Sequence, residues 1–255
     1  MAGPVLNAPV ESASRAVEAE VLAPQARVLP LHEKLVFRVK WLGLTAGELV
    51  SEIKGIEDLN GRKAYRIEVT ARTLGFTSTI YRIDDHYVSH LDVETLVTLR
   101  HEVHRREGSY KKDAVIDFDQ VAHKAYFKSQ TDGTSKVIDI PPETHDTVTA
   151  AYVARLLPLT PGKFFEMKVL NSEKVYDLFV AVPEKAQRAI ASRPRAPYLT
   201  IKPYAKTSGQ EVREGSLSGF VTDDAHRDPV LVVIKAPVFT SLVAQLMSVA
   251  REQPP

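Results

Sequence analysis

From Lys34 onward the chain alternates apolar and polar side chains with a period of two. In Leu35-Val36-Phe37-Arg38-Val39-Lys40-Trp41, the residues Leu35, Phe37, Val39 and Trp41 project from one side of an extended strand, and Arg38 and Lys40 from the other. Tyr65, Ile67, Val69 and Ala71 alternate with Arg66, Glu68 and Thr70 directly after the turn pair Asn60-Gly61. Ala114, Ile116 and Phe118 repeat the pattern around Asp117, and Phe165, Met167 and Val169 oppose Glu166 and Lys168. After Asn171-Ser172, the run Lys174–Val182 carries Tyr176, Leu178 and Val180 as its apolar row. Roughly a dozen such runs succeed one another across short turns. One polar side per strand marks antiparallel sheet with one covered face rather than buried parallel sheet.

Four stretches depart from this period. After Pro141-Pro142, Val148, Ala151, Tyr152 and Leu156 recur at helical spacing, with Thr144 or Asp146 as N-cap and Pro158 as a stop, which predicts a helix near 146–157. A shorter helical turn is expected near Thr73–Ser78. Residues 1–32, punctuated by Pro4, Pro9, Pro24 and Pro30, read as a flexible arm, with at most a loose amphipathic helix over Glu11–Leu22. Pro183–Pro197 reads as a solvated basic loop, carrying Lys185, Arg188, Arg193 and Arg195 against Glu184. The C-terminal run Val238–Val249 fits either period; a hairpin at Ala236-Pro237 favours a strand beside Val230–Lys235. The expected architecture is mainly β: a large curled antiparallel sheet, as a half-barrel or open barrel, with one main α-helix packed against it. It forms a single domain over 33–250.

Bulk properties narrow the function. The 255 residues carry a formal net charge of +1, with no strong field for steering nucleic acid, so no nucleic-acid partner is expected. There is no cysteine, which removes disulfides, thiolate metal sites, cysteine nucleophiles and lipidated cysteine. No window reaches the roughly 20 apolar residues of a transmembrane helix. Met1-Ala2-Gly3-Pro4 shows no basic or apolar signal region, so an export signal would have to have been removed already.

A search for chemistry returns little. His101 and His104, three apart in an alternating run, point to opposite faces and cannot share a metal. His86 and His90 share a face but lie about 13 Å apart along a strand. Asp84-Asp85 and Asp223-Asp224 diverge on extended chain, and neither makes a carboxylate dyad alone. Gly215-Ser216-Leu217-Ser218-Gly219 has Leu where a nucleophile elbow needs Ser. No phosphate-cradling loop is present, and no cofactor or metal is predicted. A hydrolase would require His86, His101 and Asp84 to converge in space. By contrast, large apolar side chains are abundant. With one helix to cover so many strands, the sheet must close on itself or curl around a guest. Trp41, Phe76, Tyr81, Tyr87 and Tyr152 are the candidate ligand-binding residues, and Arg188, Arg193 and Arg195 the candidate contacts for an anionic surface.

Several segments resemble a family of bacterial exported proteins, the domain of unknown function numbered 3108. They include Glu33-Lys34-Leu35-Val36-Phe37, Trp41-Leu42-Gly43-Leu44-Thr45-Ala46-Gly47, Gly61-Arg62-Lys63-Ala64-Tyr65 and Thr70-Ala71-Arg72-Thr73-Leu74-Gly75-Phe76. Tyr81-Arg82-Ile83-Asp84-Asp85-His86-Tyr87, Tyr110-Lys111-Lys112-Asp113, Ile140-Pro141-Pro142, Leu156-Leu157-Pro158-Leu159 and Thr222-Asp223-Asp224-Ala225-His226-Arg227-Asp228-Pro229-Val230 also fit. The resemblance spans about residues 33–248 and departs at Pro183–Pro197. It carries over no catalytic residue and implies a periplasmic or outer-membrane-associated protein made with a signal peptide. The layout is also similar to envelope lipoprotein carriers (LolA-like half-barrels), in which a curled sheet holds acyl chains. The leading expectation is therefore a non-enzymatic envelope protein binding an apolar or amphipathic ligand, such as a lipid acyl chain, in a curled β-sheet. The alternative is a scaffold or binding module for envelope polysaccharide or an envelope protein partner, and the third reading is a hydrolase.

Overall fold

A computed structural model describes residues 28–191, 193–212, 216–235 and 241–252. Its first half is a meander of Lys34–Trp41 (β1), Leu44–Leu59 (β2), Arg62–Thr73 (β3), a short helix Thr77–Ile80 (α1), Asp84–Asp92 (β4), Thr98–Glu107 (β5), Tyr110–Asp119 (β6), Lys124–Ser129 (β7) and Ser135–Asp139 (β8). Thr144–His145 (β9) leads into the main helix Thr147–Leu156 (α2). Then follow Phe164–Asn171 (β10), Lys174–Ala181 (β11), Lys185–Ile190 (β12), Arg193–Thr207 (β13), Gln210–Glu211 (β14), Ser216–Thr222 (β15), Pro229–Lys235 (β16) and Leu242–Ala250 (β17).

These strands join one large curled sheet that does not close. β1 is its seam, paired antiparallel with β2 on one side and with β17 on the other. From β2 the ladder runs through β3, β4, β5, β6 and β7 to β8. From β17 it runs back through β16, β15 and β13 to β11 and β10. β9 adds a short parallel pairing, Lys168 opposite Thr144 and Val169 opposite His145. Bulges between Val39 and Lys40 and between Phe220 and Val221 bend the wall. Beside them, Gly47 and Gly219 leave no room for a Cβ, which would lie 2.6 Å from the Arg72 and Leu231 carbonyl oxygens respectively.

α2 forms because Asp146 caps it. The Asp146 carboxylate accepts from the Val148 and Thr149 N–H groups at 2.7 and 3.1 Å, while the Thr149 hydroxyl accepts from the Asp146 N–H at 3.2 Å. Pro158 follows directly after the helix and its C-cap. The helix lies across one end of the curl between two apolar clusters. Tyr152, with Val148, Val153 and Leu156, meets Leu29, Ile53, Tyr65, Ile67 and Leu91. Ala150 and Leu157 meet Met167, Val169, Val180, Val182, Leu199 and Val221. One end is thus closed, with Thr147 and Ala151 left exposed.

The fold agrees with the alternation, and the C-terminal run is a strand, Val232 opposite Ala244. The turn expected at Ala236-Pro237 lies outside the described residues, as do residues 1–27 of the arm and the helix considered at Glu11–Leu22. In the part of that arm which is described, Leu29 is in the core while Val28, Leu31 and His32 are exposed. Two expectations are corrected. The short helix α1 begins at Thr77, because Thr73 still extends β3 opposite Gly47. Pro183–Pro197 is not a loop but the hairpin of β12 and β13, with Lys185 opposite Leu199 and Arg188 opposite Ala196. Ile190 and Tyr198 anchor it in the cluster of Leu35, Phe37, Val230 and Leu246.

Candidate functional site

Strand register assigns the faces, because directly opposed residues share a side of the sheet. The side that meets α2 is concave. Beyond the helix, toward the end that holds the Leu42-Gly43 turn, the concave face is incompletely covered. One wall is apolar. A row crosses it from Leu44 through Trp41, Leu242 and Ile234 to Leu217, and a second from Val39 through Ala244 and Val232 to Gly219 and Ile201. Val39, Trp41, Val232 and Ile201 are half-buried although they point inward.

The facing wall, from β4 to β6, is charged. Tyr87 donates to Asp85 Oδ2 at 3.2 Å, and the Arg106 N–H donates to Asp85 Oδ1 at 2.8 Å. Arg105 reaches Asp85 at 3.9 Å, pairs with Glu107, and lies 5.2 Å from the centre of the Tyr110 ring. Burial raises the Asp85 carboxyl above its ordinary range despite the Arg106 N–H, and Glu107 adds to the effect. Burial together with the Asp85 charge raises the Tyr87 hydroxyl as well. Lys112 lies 5.2 Å from the Phe127 ring centre on the same wall. The open half is therefore amphipathic, with hydrocarbon on one side and a cation-bearing polar strip on the other.

The closed end carries a buried charge network. Arg155 donates bidentately to Glu33 at 2.5 and 2.9 Å, to the His226 carbonyl at 3.0 Å and to Asp228 at 3.3 Å. Arg251 donates to Glu33 at 2.7 Å and also holds Asp228. Two carboxylates and two guanidiniums thus tie the chain before β1, the helix, the turn before β16 and the residue after β17. Burial alone would raise the Glu33 carboxyl, but Arg155 and Arg251 outweigh it and hold it below the usual range.

The histidines do not assemble a catalytic group. His86 and His101 lie on opposite faces; His86 stacks on His104 on the convex side, and Asp84 reaches Arg82 at 3.8 Å. His101 does meet a serine and an aspartate, which sequence reading missed because Ser89 and Asp146 are distant in the chain. Ser89 Oγ is 2.8 Å from His101 Nδ1, and Asp146 Oδ1 is 3.4 Å from that same nitrogen. A catalytic triad needs its two partners on opposite ring nitrogens. Here all three side chains are buried, and Asp146 also holds Thr98, Thr149 and the helix N-terminus. This arrangement anchors α2. Among the described residues, no group of three or more His, Asp or Glu side chains is placed to hold a metal ion.

Of the residues singled out from sequence, Trp41 and Tyr87 lie on the concave face in its open half. Tyr152 is core: its hydroxyl is 2.8 Å from Ser51 Oγ and burial pushes its pKa up to about 12. Phe76 and Tyr81 are exposed on the connection between β3 and β4. Arg188 donates to Glu184 at 3.1 Å and lies 4.9 Å from the Phe220 ring centre. Arg193 is half-buried, and Arg195 is exposed on the same hairpin.

An open, curled, β-barrel-like sheet with one end closed by a helix and the other lined on two sides defines the class of protein. Within it, the chain belongs to the protein family of unknown function DUF3108, whose model matches residues 36–246. Its fold is similar to that of a β-barrel-like protein of the domain of unknown function DUF1849 from Brucella abortus. That similarity has a TM-score of 0.62 at 9% identity and covers 89% of this chain and 100% of the other. A protein from Bacteroides fragilis described as exported, with a YmcC-like fold, aligns over 88% of this chain and 99% of its own at 10% identity and a TM-score of 0.29. No curated protein matches the chain. No described helix is long and apolar enough to cross a membrane.

Proposed function

We propose that this is a non-enzymatic protein of the bacterial envelope that holds an amphipathic ligand of the acyl-chain class in the open half of its concave face. The observation that carries the reading is the half-burial of inward-pointing Val39, Trp41, Val232 and Ile201 opposite a charged strip. Apolar side chains on an inward face are normally covered, and a hydrocarbon chain would cover these at a gain of about 25 cal/mol per Å². Arg105 and Lys112, across from them, suit the polar end of such a ligand. The envelope setting follows from the family resemblance of the sequence.

The single tryptophan lies in this wall and reports on it. Titrating the protein with a long-chain fatty acid should shift Trp41 emission to shorter wavelength with saturation. Ala71→Phe, placed opposite Leu49 and Asp85 on the concave face, should weaken binding about tenfold without loss of fold. Emission that does not respond to any chain length would overturn the reading.

A further inference from the structure

At the end remote from α2, three connections come together. They are the Leu42-Gly43 turn, the Leu74–Ile83 segment with α1, and the Gly108-Ser109 turn. The Leu74 N–H donates to the Ala46 carbonyl at 3.0 Å and the Gly108 N–H to the Arg82 carbonyl at 2.7 Å. Large apolar side chains stand out from them: Leu42 is 65% exposed, Leu44 75%, Phe76 79% and Ile80 58%. One exposed apolar side chain means little, but Leu42 on its turn, Leu44 at the lip where β2 begins, and Phe76 and Ile80 at the two ends of α1 make a patch of the kind that marks an interaction site.

The turn at Leu42 shows that this exposure carries a cost. Leu42 and Gly43 have φ of 51° and 82°, a left-handed pair closing a two-residue hairpin. At the other end of β2, Asn60 and Gly61 adopt the same pair at 55° and 84°. Asn-Gly is what this geometry prefers; a leucine is disfavoured there. The chain therefore places a strained, solvent-facing leucine where a stabilising asparagine is available.

Around the patch the charges are mainly positive. Lys40, Arg72, Arg82 and Lys111 accompany the acids Glu48 and Asp84, with Arg82–Asp84 at 3.8 Å the ion pair formed within this set among the described residues, and beside the Gly108 turn Glu107 is balanced by Arg105. Trp41, Tyr81 and Tyr110 lie at the same end, the side-chain types that favour a membrane–water interface. From this combination we infer that the rim docks on an anionic lipid bilayer. Leu42, Leu44, Phe76 and Ile80 enter the acyl boundary, and the surrounding cations meet the headgroups. A second copy fits less well, since a two-fold contact through this rim would set like cations against one another. The inference stands without the acyl-ligand reading, and it would direct the open end of the concave face at the membrane.

Flotation of the full chain with vesicles of phosphatidylethanolamine and phosphatidylglycerol, against phosphatidylcholine vesicles, tests it. The protein should float with the anionic vesicles at low salt and less at high salt. Phe76→Ser combined with Ile80→Ser should weaken binding about tenfold. Leu42→Asn should weaken it too while raising the melting temperature, so that lost docking cannot be ascribed to misfolding. Three results would each overturn the inference: no flotation with anionic vesicles, flotation unchanged in both variants, or a dimer in solution that Leu42→Asn dissociates.

Discussion

Replacing Arg155 with methionine is expected to lower the free energy of unfolding by about 3–5 kcal/mol. The guanidinium lies among Glu33, Asp228 and the His226 carbonyl, with Glu33 wholly buried. Its removal leaves Arg251 alone to balance two carboxylates, one of which loses a bidentate pairing. The double variant Arg155→Met with Glu33→Gln removes one charge of each sign and leaves Asp228 paired to Arg251. It should therefore lose less than the single variant, a coupling that double-mutant analysis of urea midpoints measures directly. A double-variant loss equal to the sum of the two single losses would show that the four groups do not act as one network.

The second large effect is on acid stability and centres on His145. This side chain is 6% exposed, its Nδ1 has no partner among the described residues, and burial lowers its pKa to about 4 against the opposing charge of Asp146. In the unfolded chain the ring takes a proton below about pH 6.5, whereas in the folded protein it does so only near pH 4. Its contribution is complete above about pH 6.5 and falls as pH drops toward 4, a loss of about 3 kcal/mol. Glu33 acts in a lower window. Its folded pKa is depressed, so its contribution is present above about 4.5 and is lost as pH falls through the folded value. His145→Leu should flatten the urea midpoint between neutral pH and about pH 5, leaving the carboxylate loss below that. A slope unchanged in this variant would assign the titration to another group.

Much of the fold was legible because period-two alternation is a local property. β1, β3 and β10 to β11 were readable from their own residues, and α2 from Asp146, its apolar spacing and Pro158. What could not be read depends on partners far along the chain. Arg155 looks like the polar face of a helix, yet it is buried by Glu33, 122 residues away. The β12–β13 hairpin was hidden because alanine, arginine and proline dominate it, and its apolar anchors Ile190 and Tyr198 are too few to set a period. Phe76 and Tyr81 were read as candidate ligand-binding aromatics at strand spacing; they stand instead on the connection between β3 and β4, and both are exposed. Trp41 and Tyr87, on continuous strands, are on the concave face. Ser89, His101 and Asp146 meet only because the helix cap is seated against β4 and β5.

We propose above that the open half of the concave face holds a hydrocarbon chain. Native mass spectrometry of the protein released from a bacterial envelope tests it most directly. A bound species of lipid mass is expected, one that organic extraction removes, that a fluorescent fatty acid replaces, and that Ala71→Phe diminishes. A protein that carries the bare chain mass throughout and takes up no fatty acid would contradict it.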